Sequence, residues 1–215
     1  MAETDARKLN RMFNRLSSLI AAEKDYLTEL DGAIGDADHG ITMLLGFGAV
    51  ASELARSDLD DMTPSAVMTI AASVFLNAVG ASTGPLYATA FLRAAKALEC
   101  RPSLDAAGQV AMLQAITLGI QERGKGQRGD KTMLDTWIPA AEAGSIALAR
   151  EVRPPEFWHE VVAAGEAGAA ATRSMVAVRG RAARLGERSL GHVDPGAASA
   201  VLVLKAMREV FGDLS

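Results

Sequence analysis

Apolar positions recur along the chain at intervals of three and four. Leu9, Met12, Phe13, Leu16, Leu19, Ile20, Leu27 and Leu30 trace one such stripe, which predicts an amphipathic helix stopping near Asp31-Gly32. Met43, Leu44, Phe47, Val50, Ala51 and Leu54 predict a second. A third runs over the apolar stretch 66–79 and ends near Gly80. Pro85 suits the first turn of a fourth, which carries Leu86, Phe91 and Leu98. A fifth covers about 103–124, with Leu113, Ile116 and Ile120 on one face. A sixth passes through Met133, Trp137 and Ile138 toward Leu148, with Pro139 inside it. A seventh, rich in alanine, covers about 156–178. Asp194-Pro195, an N-cap followed by a first-turn proline, starts an eighth that reaches Phe211. Period-two runs of Val, Ile and Tyr are hard to find, so the expected class is all-α, with one domain over residues 1–215.

If consecutive helices alternate in direction, the connections after the first, third, fifth and seventh fall at one end. Those are the stretches richest in Gly, charge and hydroxyls, and long polar loops in compact domains are often functional. Composition narrows the options further. The net charge of −4 argues against a nucleic-acid or membrane-surface binder but not against an anion bridged by metal. The single cysteine, Cys100, forms no internal disulfide and suits a reducing cytoplasm. The start of the chain has no signal-peptide core, and charged residues or glycine interrupt every apolar run.

The first connection, "LDGAIGDADHGITM", gathers Asp31, Asp36 and Asp38 beside His39. Three carboxylates this close repel unless a cation lies between them, and oxygen ligands suit Mg²⁺. The following helix start offers N–H groups to an anion. The bland alternative is that Asp38 caps the helix and the others are solvated. The loop is not an EF-hand, because its spacing and closing residue differ. In "GASTGP", Ser82 and Thr83 can donate to phosphate, although such breaks are commonly plain turns. "RGKGQRGD" offers Lys125, Arg128 and Lys131 but lacks the Walker A order. Its alternative is a solvated basic loop with Asp130 capping the sixth helix. The last connection offers Arg181, Arg184 and Arg188 as phosphate clamps, or as surface partners of Glu187. His192 is a candidate base or a locally bonded loop residue. His159 reads as structural and Cys100 as an inert thiol. Three histidines in total give no zinc cluster.

Taken together, "LDGAIGDADHG", "GASTGPLYAT", "GDKTMLD" and "GRAARLGERSLGHVDPGA" resemble, in this order, the nucleotide-binding L subunit of bacterial dihydroxyacetone kinase and the matching domain of single-chain ATP-dependent kinases. The resemblance implies a barrel of eight antiparallel amphipathic helices with the nucleotide, ADP or ATP, at one end. It implies that Asp31, Asp36 and Asp38 hold two Mg²⁺ ions. It places His39, Gly40, Ile41, Thr42, Ser82 and Thr83 at the phosphates, Gly124 and Met133 near the adenine, and Arg181, Asp194, Pro195 and Gly196 in a lid. The chain departs from the family pattern at Ala81, Thr83, Ala88 and Arg184.

The implied partner is a K subunit that binds the ketose covalently through a histidine. The implied phosphate source is an M subunit, a phosphohistidine protein that recharges bound ADP. Exchanging ATP, with another small ketose such as erythrulose, is the alternative. A homodimer, an ADP-sensing regulatory subunit and a metal-dependent phosphohydrolase remain open at this stage.

Overall fold

The computed structural model describes residues 3–101 and 103–212; residues 1, 2, 102 and 213–215 lie outside that description. Among the described residues there are eight α-helices, two 3-10 segments and no strand. The helices are α1 (Asp5–Ile34), α2 (His39–Arg56), α3 (Pro64–Ala78), α4 (Thr83–Leu98), α5 (Ala106–Gly124), α6 (Leu134–Ala149), α7 (Pro154–Ala171) and α8 (Pro195–Phe211). Each packs on its neighbour in sequence, and α8 closes the ring onto α1. The result is the expected all-α barrel. None of the described helices is long and apolar enough to cross a membrane.

The apolar stripes meet inside the ring. Phe13, Phe47, Phe75, Tyr87 and Phe91, from α1 to α4, form a cluster of tilted and edge-on rings. Trp137, Trp158 and Phe157 fill the other half. Burying side chains of this size favours the closed form by about 1.5–3 kcal/mol each.

Pro139 sits inside α6 and has no N–H to offer the Asp135 carbonyl one turn earlier. Helix α7 packs there through Gly168, where a β-carbon would overlap that carbonyl oxygen. The small-residue face of α7 is thus what lets the two helices meet beside Pro139.

Three boundaries differ from the sequence expectation. Helix α1 continues past Asp31-Gly32 to Ile34, so Asp31 lies in its last turn. Helix α5 begins at Ala106 rather than about 103, while α4 carries Pro85 in its first turn as expected. Helix α7 stops at Ala171, and the chain continues through 3-10 segments at Thr172–Ser174 and Ala182–Ser189.

Candidate functional site

The aspartate-rich loop is organised by Asp31. This buried carboxylate accepts through Oδ2 from the N–H of Asp38 at 2.9 Å and of His39 at 3.1 Å. The start of α2 is therefore capped from α1, and Asp38 makes no capping bond with its own side chain. A β-carbon at Gly35 would overlap the Asp31 carboxylate, so only glycine lets the loop turn this tightly. Ala37 is left-handed at φ 61°, which orients Asp36 and Asp38 on either side of it. Oxygens of Asp31, Asp36 and Asp38 all lie within 4.8 Å of one another. Burial raises the pKa of Asp38, and the Asp31 charge raises it further. This crowding of hard oxygen donors fits Mg²⁺. Arg181, from the far side of the opening, makes an ion pair with Asp36.

His39 follows with its ring buried. Its Nε2 lies 2.9 Å from Ser199 Oγ, and that hydroxyl donates to the Gly196 carbonyl at 3.0 Å. Burial lowers the His39 pKa to about 4, against the opposing pull of Asp31. The ring is thus neutral and joins the aspartate-rich loop to the start of α8. Gly40 lies against α1, where a β-carbon would overlap the Lys24 carbonyl. Ile41 is exposed, and Thr42 N–H donates to the Asp38 carbonyl. Gly40, Ile41 and Thr42 continue α2 and are not on the cavity wall.

The connection after α5 is held by Asp135, which accepts from the N–H of Gly129 at 2.6 Å and of Thr132 at 2.8 Å. Asp130 does not cap α6. It accepts from Gln127 N–H at 3.0 Å and from Arg179 Nε at 3.2 Å. Nor is the loop simply a solvated basic stretch. Arg128 turns outward to Glu142 and Lys125 is exposed, but Lys131 is buried. Of the three arginines expected after α7, Arg181 stands on the wall while Arg184 and Arg188 do not. Arg179, which the sequence did not single out, does. His192 contributes a backbone carbonyl, not its ring, to the loop's bonding. Asp194 caps α8 by accepting from Ala197 N–H at 2.8 Å. Burial raises its pKa to about 7 against the bond from Ala197 and the charge of Lys131. Pro195 is buried beneath the wall that Gly196 forms.

These connections, after α1, α3, α5 and α7, enclose one cavity of about 440 Å³. Its polar side carries the three aspartates, His39, Ser82, Thr83 and Arg181. Its apolar side is Leu86, Ile120, Met133 and Leu134, with Gly124 and Gly126 at the edge. The size and the division suit a small ligand with one flat apolar part and one highly anionic part.

Comparison with known proteins agrees with this shape. Residues 33–209 match the family described as the DAK2 domain. The chain is 37% identical over 196 residues to the Escherichia coli protein named "PEP-dependent dihydroxyacetone kinase, ADP-binding subunit DhaL", covering 90% of this chain and 91% of that one. It is also 37% identical over 197 residues to the first Listeria innocua dihydroxyacetone kinase ADP-binding subunit, covering 92% of both. Among solved structures, the native dihydroxyacetone kinase of C. freundii superposes with a TM-score of 0.73 at 25% identity. That match covers 94% of this chain and 34% of the larger kinase, so the chain corresponds to about a third of it.

Proposed function

Because the chain belongs to the DAK2-domain family of dihydroxyacetone kinase ADP-binding subunits, we propose that it is the nucleotide-binding half of a kinase for a small ketose, dihydroxyacetone first among them. It acts as one domain that holds ADP with two Mg²⁺ ions, while a separate K subunit holds the ketose. An M subunit carrying phosphohistidine recharges the ADP in place. The words "PEP-dependent" and "ADP-binding" in the relatives' names support that phosphate source over exchanging ATP. A cytoplasmic location goes with it.

One observation carries the reading: a carboxylate cluster and an apolar slot share one cavity wall. Magnesium held by Asp31, Asp36 and Asp38 would offset phosphate charge. The rest of the task is positioning, because phosphoryl transfer requires little covalent chemistry from the protein. Ser82 and Thr83 donate to phosphate oxygens at the start of α4. Leu86, Ile120 and Met133 take one face of the base beside Gly124. Arg181 and the Asp194–Gly196 turn cover the nucleotide, with Arg181 moving from Asp36 to a phosphate.

The test is reconstitution. Purified chain is assayed for bound nucleotide, then mixed with K subunit and ketose, with either ATP or phosphorylated M subunit as donor. Stoichiometric bound ADP, and product with the M subunit only, is the expected result. Many turnovers on ATP alone would overturn the bound-coenzyme reading. Hydrolysis of phosphate esters by the chain alone would overturn the kinase reading.

A further inference from the structure

The segment between α7 and α8 leaves and returns at one point. Asp194 N–H donates to Thr172 Oγ1 at 2.9 Å, and Gly191 N–H to the Arg173 carbonyl at 2.8 Å. Residues 173–193 therefore form a loop closed at its neck. Ser189 ties its interior, accepting from Ala177 N–H at 2.9 Å and donating to the Gly186 carbonyl at 2.7 Å. Val176, Val178 and Leu190 are exposed, so the loop has little apolar burial of its own to hold it. Its position depends on its neck and its polar anchors.

Beneath the neck lies Lys131, only 1% exposed. Its Nζ donates to the Thr172 carbonyl at 2.6 Å and to the His192 carbonyl at 2.5 Å, one on each side of the neck. An ammonium group is costly to bury. Burial lowers the Lys131 pKa, and only the carboxylates Asp194 and Asp135 oppose it. The backbone at Lys131 is also left-handed, at φ 60°. A residue wanted here for packing alone would be apolar and would avoid the desolvation. Asp130, one position earlier, grips the same loop through Val178 N–H and Arg179.

We infer that Lys131 is a positioning residue, a clasp that closes the neck of the 173–193 loop and so holds Arg181 and the Asp194–Gly196 turn over the bound nucleotide. Its Nζ is engaged by the two neck carbonyls, while the residue also lines the cavity. The inference rests on the nucleotide reading above and adds what governs retention of the nucleotide. Holding ADP as a coenzyme requires slow release, and closing a covering loop slows release more than capture.

Lys131→Met keeps length and removes the donors, whereas Lys131→Arg keeps donors. Stopped-flow capture and displacement of a fluorescent ADP analogue, with Mg²⁺, separate the two rates. Lys131→Met is expected to speed release by roughly ten- to a hundredfold with capture little changed, as loss of a charged hydrogen bond implies. Lys131→Arg should stay close to the parent. Combining Lys131→Met with Arg181→Ala should add little to Arg181→Ala alone, because both act through one loop. Trypsin should cut the nucleotide-free Lys131→Met chain faster at the loop arginines. Unchanged release and cleavage would overturn the clasp, as would effects that multiply with Arg181→Ala. If Lys131→Met fails to fold, Thr172→Val removes the adjacent neck bond and should loosen the loop by the same measures; parent-like behaviour there is equally fatal. If the parent binds no nucleotide, the nucleotide reading fails while the trypsin comparison still decides the clasp.

Discussion

The two ends of the barrel treat their helix termini differently. Of the four helices that begin at the end away from the cavity, the chain caps three with its own side chain, Thr4 to Arg7 N–H, Thr63 to Ala66 N–H and Asp105 to Gly108 N–H, while α7 opens on prolines without a side-chain cap. Where α2, α4 and α6 begin, Asp38, Ser82 and Met133 make no such bond. Only α8, through Asp194, is self-capped at that end. The backbone shows the same division. Ala37, Lys125 and Lys131 are left-handed at the cavity end, against Glu151 at the other. One end is built for stability. At the other, α2 is capped from a neighbouring helix by Asp31 and α6 opens under Thr132, which leaves the start of α4, with the Ser82 hydroxyl, for an anionic ligand.

The sharpest way to break this comparison is Asp38→Asn. If the carboxylates are crowded for a metal, the variant loses Mg²⁺-dependent ADP affinity by roughly a hundredfold, the scale of losing one partner of a close charge pair. It should also melt higher than the parent in EDTA, because burial and Asp31 already disfavour the Asp38 charge. Calorimetric titration and thermal melts read the two effects. A variant that binds normally, or that melts lower, would place Asp38 among ordinary structural residues.

Next in size is the pH dependence of stability at the cavity end. Asp194 has a pKa of about 7 when folded against an ordinary 3.8, so the folded chain keeps a proton that the unfolded chain releases in between. Its contribution is favourable below that window and disappears as pH rises through 7. His39 works oppositely. Its pKa of about 4, against 6.5 unfolded, gives a contribution present above 6.5 and lost as pH falls toward 4. Asp194→Asn can still cap α8. In EDTA it should gain on the order of 2 kcal/mol at pH 8 and nothing near pH 4, removing the Asp194 part of the slope. Urea melts from pH 4 to 8 check this, and parallel curves for the two chains would refute it.

The same division explains what could be read from the sequence. The helices were legible because each buries one apolar stripe, and the 3.6-residue period records that directly. Their ends at the cavity were not. Asp31 keeps α1 helical past Gly32 by bonding forward to α2, a contact between elements that periodicity does not register. The alanines of α7 carry no stop signal, and the helix ends where Thr172 enters the neck of the loop. The aspartate cluster stood out because its charge density is a local property. Lys131 looked like a solvated cation because its burial comes from a segment some forty residues away. Arg179, Arg184 and Arg188 are equivalent in composition, and loop geometry alone places Arg179 on Asp130 and the cavity wall.

Equivalent substitutions at the two ends sharpen the contrast at a smaller scale. Thr63→Ala removes a real cap and should cost about 1 kcal/mol of stability with ADP affinity unchanged. Ser82→Ala removes a hydroxyl that caps nothing, so stability should hold within about 0.5 kcal/mol while ADP binds several-fold more weakly. Chemical melts and ADP titrations on both variants give the four numbers. The reverse pattern would mean that Ser82 is a structural turn residue.

The smallest effect is expected at Ala37, where the strain is held by one residue. A left-handed alanine costs about 1–2 kcal/mol relative to its ordinary conformations. Glycine removes that cost but frees the unfolded chain, returning part of the gain, so Ala37→Gly should stabilise by less than about 1 kcal/mol. Its effect on Mg²⁺-dependent ADP binding should have the opposite sign. The alanine confines the turn that sets Asp36 and Asp38 against Asp31, and a looser turn must be ordered when the ligand arrives. Higher melting with weaker binding would show that the strain at this end preorganises the site. Tighter binding would show instead that the turn resists the liganded geometry, and that the cavity end is stressed without benefit to its ligand.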